Sequence, residues 1–288
     1  MKSRARKVQG RRKLGMRMVL ELLGIGAAAV VVLCAFLYFH QERMLFYPTA
    51  PPASVASPAN GAVETLRLVT PQGLGLTGWF VTSGARSAPL VLYFGGNAED
   101  VSGVIGVADR FAGASLLLLN YRGYGGSDGV PGESALFEDA LFAFDYAARR
   151  GDVDPRRIVA IGRSLGSGVA VYLAANRPVA GVVLVSPYDS VRALAQAAYP
   201  WLPVRLLLKH PFDSLARAPT LRAPLLCLVA ERDGVIPPAH SRRLFDAWGS
   251  VQKRWVELRG ADHDSVDADP RYWEEIALML AGIAPGNG

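Results

Sequence analysis

The side chains best suited to chemistry in this 288-residue sequence are a serine, an aspartate and a histidine, met in that order. Gly162-Arg163-Ser164-Leu165-Gly166 fits the pattern G-x-S-x-G, with the apolar run IVAI leading in and the helical run SGVAVYLAA leading out. A strand–turn–helix of this kind lifts the serine hydroxyl above the end of a sheet, and glycines are needed where the turn leaves no room for side chains. A serine hydroxyl is a weak nucleophile at neutral pH, so it needs a base, and the base needs an orienting acid. Of the four histidines, His40 adjoins a long apolar segment, and His210 and His240 have no strand leading into them. His263 follows the strand-like KRWVEL through Arg-Gly-Ala-Asp and is the expected base. Asp233 closes LLCLVAERD just before the turn GVIPP, at the strand end where α/β sites collect, and is the expected acid. Asp189, one strand earlier, competes for that role, whereas Asp262 and Asp264 beside the histidine are expected to face solvent.

A serine nucleophile also calls for two N–H donors aimed at the developing oxyanion. One is expected from the backbone of Leu165, directly after the serine. The other is expected from Asn97, in the loop Gly95-Gly96-Asn97-Ala98-Glu99-Asp100 that follows PLVLYF. A plain glycine turn capping the next helix is the alternative reading of that loop. No His/Asp/Cys cluster has metal-ligand spacing, and neither a metal nor a cofactor is expected.

These residues need a rigid frame. Apolar, β-rich runs at 64–70, 76–82, 89–95, 115–120, 157–163, 180–186, 224–230 and 253–258 read as strands. Helical spacing appears at 100–112, 133–150, 165–176, 238–248 and 270–283. Continuously apolar strands separated by helices predict an α/β fold, a mostly parallel sheet covered on both faces. The first two strands have no helix between them and are expected to form an antiparallel hairpin at one edge. Between Pro187 and Pro224 there is room for a helix and a short excursion, so any lid is small or absent. The apolar residues there (Tyr199, Trp201, Leu202 and Leu206 to Leu208) read either as core or as the lining of an acyl groove.

The formal charge of +6 is unevenly distributed. Lys2, Arg4, Arg6, Lys7, Arg11, Arg12, Lys13 and Arg17 precede any acid, which leaves 23 basic against 25 acidic residues beyond Arg17. The basicity therefore belongs to the tail and gives no support to a nucleic-acid partner. Leu22 to Phe39 contains no charged side chain, and about 27 Å of helix at that length matches the hydrocarbon core of a bilayer. No small-residue cleavage site follows it, which favours an uncleaved signal anchor over a signal peptide. The positive flank places the N-terminus in the cytoplasm and the bulk of the chain outside it, in the periplasm if the source is bacterial. The expected parts are a basic segment 1–17, a transmembrane anchor 18–40, a linker 41–61 that is rich in Pro, Ala and Ser from 48 onward, and a catalytic domain 62–288. With 51% hydrophobic and 19% charged residues the chain is not disordered, and two cysteines, Cys34 and Cys227, exclude a disulfide scaffold.

With FGGNAED, NYRGYGGSDGVPGE, GRSLG, VSPYDS, LLLKHPFDS, AERDGVIP and GADH in place, the chain over about 42–283 resembles the α/β-hydrolase superfamily. Within it, the chain is similar to a small membrane-anchored branch of serine hydrolases related to depalmitoylating thioesterases. That branch usually carries His-Gly-Asn where Gly95-Gly96-Asn97 stands here, which keeps the backbone donor but removes a polar side chain. The resemblance makes the segment from Tyr121 to Gly129 a structural loop beside the site. It implies a serine hydrolase acting on a carboxylic ester or thioester, with a small-molecule or acylated substrate and the lipid bilayer as partner. A serine peptidase or acyltransferase would use the same residues, and a non-catalytic binding protein is the alternative of a different class. Serine at the elbow excludes dehalogenase chemistry, which uses aspartate there.

Overall fold

The computed structural model describes residues 2–58, 61–85 and 88–283, with side chains from Met16 onward. Met1, residues 284–288 of the expected 62–288 domain and most side chains of the basic flank lie outside the described residues. The chain begins with a helix α1 (Lys2–Leu45), then β1 (Ala62–Val69), β2 (Gly75–Thr82), β3 (Leu90–Phe94) and β4 (Ser115–Leu119). Next come α2 (Glu133–Ala148), β5 (Ile158–Arg163), α3 (Leu165–Asn176), β6 (Gly181–Val185), α4 (Val191–Ala198) and α5 (Val204–Leu207). It closes with β7 (Leu225–Ala230), α6 (Pro238–Ala247), β8 (Lys253–Leu258) and α7 (Pro270–Ala281).

The eight strands form one sheet in the order β1-β2-β4-β3-β5-β6-β7-β8. The expected edge hairpin is present, with Leu68 opposite Leu76 and Val69 opposite Gly75. Strand β2 pairs antiparallel with both neighbours, and every other ladder is parallel. Because side chains alternate across a strand, the continuous apolar runs feed two cores at once. Ile158, Ala160, Val182 and Leu184 join Phe144, Val169 and Leu244 on one face. Val159, Ile161, Val183 and Val185 join Ile105, Phe111 and Ile276 on the other. Each such aliphatic side chain, taken fully out of water, contributes about 1.5–3 kcal/mol. This doubly covered sheet holds the strand ends that carry the site.

Two segments differ from expectation. The stretch expected as a helix at 100–112 forms a 3₁₀ segment, Val101–Arg110, broken by non-helical geometry at Val107. Gly103 and Gly106 inside it each disfavour an α-helix by about 1 kcal/mol relative to alanine. The second is the anchor. The helix continues beyond His40 to Leu45, through residues expected to begin the linker, and Phe46 is buried in the core. Gln41 and Glu42 explain the continuation, because Lys209 N–H donates to Gln41 Oε1 and Lys209 Nζ to Glu42 Oε1. Within α1, the span Met16–Leu45 contains an 18-residue stretch with a mean hydropathy of 2.5 and is long enough to cross a membrane, consistent with a single-pass anchor.

Candidate active site

Strand β5 ends at Arg163 and α3 starts at Leu165, so Ser164 alone makes the turn, at φ 50°, ψ −116°. A non-glycine residue in this region stores about 1–3 kcal/mol of backbone strain. The flanking glycines allow it. A Cβ at Gly162 would run into the carbonyl oxygen of Gly166, and one at Gly166 would run into that of Phe94. The turn is tied to the sheet where Ser164 N–H donates to Val185 O at 2.9 Å, and to its own helix where Ser167 Oγ donates to Ser164 O at 2.7 Å.

His263 stands beyond the end of β8, with Nε2 2.9 Å from Ser164 Oγ and Nδ1 2.8 Å from Asp233 Oδ2. An ionised carboxylate only accepts, so Nδ1 carries the hydrogen and Nε2 is left to take the serine proton. Asp233 follows β7 and is buried, and its Oδ1 accepts the N–H groups of Val235 (3.0 Å) and Ile236 (2.7 Å). Burial pushes this carboxyl up, but the hydrogen bonds from His263 and the Ile236 N–H outweigh it and hold it below the usual carboxylate range. The sequence-expected serine, acid and histidine are thus brought together. The competitor Asp189 is engaged elsewhere, with His240 Nδ1 at 2.8 Å and Arg243 Nε at 2.7 Å. Asp262 and Asp264 are exposed, as expected.

The expected donor loop lies against the elbow, since a Cβ at Gly96 would stand 3.7 Å from Ser164 Cβ. The Gly96 N–H is already taken by Glu99 Oε2 at 2.6 Å, and Tyr93 donates to the other Glu99 oxygen at 2.9 Å. Among the described residues, the N–H groups of Asn97 and Leu165 have no protein acceptor. The Asn97 side chain is clamped: Nδ2 donates to Leu45 O at 2.8 Å, while Oδ1 accepts from Tyr124 Oη at 2.8 Å and Tyr47 N–H at 3.0 Å. Tyr121 Oη donates to Gly95 O at 2.9 Å, so the glycine-rich 121–129 segment props this loop from behind. The sequence assigns no individual role to Glu99, Tyr124 or the 45–47 backbone. Glu99, an acid three residues after Gly96, was the one local signal; the other contacts join positions 27 to 52 residues apart. Where relatives of the resembling branch carry histidine, a Cβ at Gly95 would come within 2.9 Å of Val101 Cγ1 and 3.3 Å of Glu99 Cδ.

A groove of about 390 Å³ opens nearby. Its walls come from α1 (Leu33, Leu37, Met44) and from the α4–α5 region (Ala195, Tyr199, Trp201). Of the 199–208 apolar residues, the buried Leu202 lines this groove together with Leu207, Leu208 and the exposed Tyr199 and Trp201, while Leu206 is 81% exposed outside it.

An eight-stranded, mostly parallel sheet with a serine elbow between β5 and α3 defines a class. The chain belongs to the α/β-hydrolase family. The family profile for the alpha/beta hydrolase fold matches residues 89–208. Rv2307c, an uncharacterized protein of Mycobacterium tuberculosis, is 36% identical over 274 residues, covering 91% of this chain and 96% of the relative. The uncharacterized membrane protein YNL320W of Saccharomyces cerevisiae is 29% identical, covering 90% of this chain and 95% of its own length. Among solved structures, the Pyrococcus furiosus esterase PF2001 has the same fold, with a TM-score of 0.64 at 16% identity over 84% of this chain and all of that one.

Proposed function

We propose that this chain is a serine hydrolase that cleaves carboxylic esters or thioesters and is held at a membrane by its N-terminal helix. The observation that carries the reading is the relay of Ser164 Oγ, His263 Nε2 and Asp233, at 2.9 and 2.8 Å, on a strained elbow. Ser164 Oγ attacks the acyl carbonyl carbon while its proton passes to His263 Nε2, and Asp233 stabilises the imidazolium that results. The N–H groups of Leu165 and Asn97 hold the oxyanion, each contributing about 10²–10³ in rate. Collapse breaks the C–O or C–S bond, and the leaving oxygen or sulfur takes the proton from Nε2. Water then gives a proton to Nε2 as its oxygen attacks the acyl-enzyme. The second collapse frees the carboxylic acid and returns the proton to Ser164 Oγ.

The charge of the first 17 residues supports an orientation with the N-terminus cytoplasmic and the hydrolase domain on the opposite side. The chemistry is tested with p-nitrophenyl acyl esters, acyl thioesters and aminoacyl p-nitroanilides offered to the full chain and to Ser164→Ala. Ester and thioester turnover that vanishes in the variant is expected. Turnover of the aminoacyl substrates alone would replace this reading with a peptidase.

A further inference from the structure

Resting on the hydrolase reading, we propose that the anchor helix is itself one wall of the substrate site and binds the long acyl chain of a membrane-derived substrate. The groove described above is formed only where α1 meets the α4–α5 region, so without the helix it has one side. Its lining is apolar apart from Gln41, whose amide is used up in donating to Leu207 O at 3.0 Å and accepting from Lys209 N–H at 2.8 Å. A cavity of this volume falls in the range of ligand sites, about 300–1,000 Å³.

Three features select an acyl chain from the bilayer as its occupant. First, Leu33 and Leu37 lie within the uncharged apolar run 22–39 and Leu45 lies beyond it, which puts the outer end of the groove at the hydrocarbon. Second, the opposite wall presents Tyr199 and Trp201 to the outside, 46% and 63% exposed, and aromatic rings of this kind settle at the membrane interface. Third, the groove ends at Leu45, one hydrogen bond away from the donor loop that lies against the elbow. Leu45 lines the groove, its carbonyl accepts from the Asn97 side chain, and Gly96 beside Asn97 packs on Ser164. Between Leu33 and Leu45 the helix advances about 18 Å, a path suited to one extended chain and wasted on a short acyl group. A substrate that slides in along α1 would bring its carbonyl to the elbow without leaving the apolar phase.

The test uses the full chain in phosphatidylcholine vesicles with p-nitrophenyl butyrate and p-nitrophenyl palmitate. Ala195→Trp and Leu37→Trp fill the groove from opposite walls. Each is expected to lower kcat/KM for palmitate by about tenfold or more, since every methylene denied burial is worth roughly fourfold, and to leave butyrate unchanged. Wild-type palmitate turnover in either variant overturns the inference, while Ser164-dependent butyrate turnover in the same samples keeps the hydrolase reading intact. Loss of butyrate turnover together with loss of fluorophosphonate labelling in the wild-type chain would instead remove that reading. A measurement independent of variant folding uses a diazirine-bearing palmitoyl ester and the Ser164→Ala chain. Crosslinks to peptides containing Leu37 and Tyr199 are expected, and crosslinks confined to other surfaces, or between two copies of the chain, contradict the proposal.

Discussion

Among the described residues, two buried carboxylate–imidazole pairs stand one strand apart, and they have opposite fates. Asp233 and His263 meet at 2.8 Å with side chains 0% and 12% exposed; Asp189 and His240 meet at 2.8 Å with side chains 2% and 7% exposed. Distance and burial do not distinguish them. What differs is the remaining company of each ring. His263 turns Nε2 to a hydroxyl held on a strained turn. His240 instead shares its Nδ1 with the Arg243 guanidinium at 2.7 Å, and Arg243 also grips the second oxygen of Asp189. A guanidinium always donates, so Nδ1 of His240 accepts here and has no hydrogen to give Asp189, whose charge is met by Arg243 instead. Asp189 also fastens the segment after β6, as its backbone carbonyl accepts from Leu215 N–H. A dyad becomes useful through the group on its far nitrogen.

The largest separation between the two pairs is expected in turnover. Ser164→Ala and His263→Ala should each lower kcat on an ester reporter by about 10⁶-fold, while His240→Asn leaves kcat unchanged. Comparable losses in His240→Asn would erase the distinction. The acids should divide along the same line. Asp233→Asn is expected to cost about 10⁴-fold in kcat through the wrong imidazole tautomer. Asp189→Asn should leave kcat alone and lower the unfolding free energy by about 2 kcal/mol, because the buried side chain loses its charge-assisted hydrogen bond from the half-exposed Arg243. Steady-state kinetics beside urea titration checks both.

Smaller effects probe the clamp on the donor loop. Tyr124→Phe and Asn97→Ala release the loop without touching the relay, and kcat should fall about 10²-fold with KM little changed, as a donor drifts by about 1 Å. A KM effect without a kcat effect would place the loop in substrate binding instead. The Asp233 carboxyl, lowered because its hydrogen bonds outweigh burial, adds stability that is complete above the ordinary carboxylate value near 3.9 and is lost as pH falls through its lower native value. The acid limb of the urea midpoint against pH should therefore be shallower in Asp233→Asn than in the wild type. Last, Ser164→Gly removes the penalty of a side chain at φ 50° and should raise stability by about 1 kcal/mol, activity being lost.

The sheet and the elbow were legible in the sequence for local reasons. Apart from Ser115 and Arg163 at their ends, strands β3 to β7 carry no strongly polar side chain because both faces are buried, and Gly162 and Gly166 mark the positions where a Cβ meets backbone oxygen. Asp233 could be separated from Asp189 only by its place along the chain; that Arg243 occupies Asp189 depends on a helix turn 54 residues away. The clamp on Asn97 was invisible for the same reason, since Leu45 and Tyr47 reach it across 52 and 50 residues. The expected boundary between anchor and linker at 40/41 falls inside the helix because the contacts that continue it, from Leu207 and Lys209, lie more than 160 residues on.

The central claim is that Ser164 is a nucleophile because His263 and Asp233 make it one. Fluorophosphonate labelling of the full chain, followed by peptide mapping, measures this directly. The account predicts a single adduct on Ser164, absent in Ser164→Ala and His263→Ala and unaffected in His240→Asn. An adduct on another residue, or equal labelling of the His263→Ala chain, would contradict it.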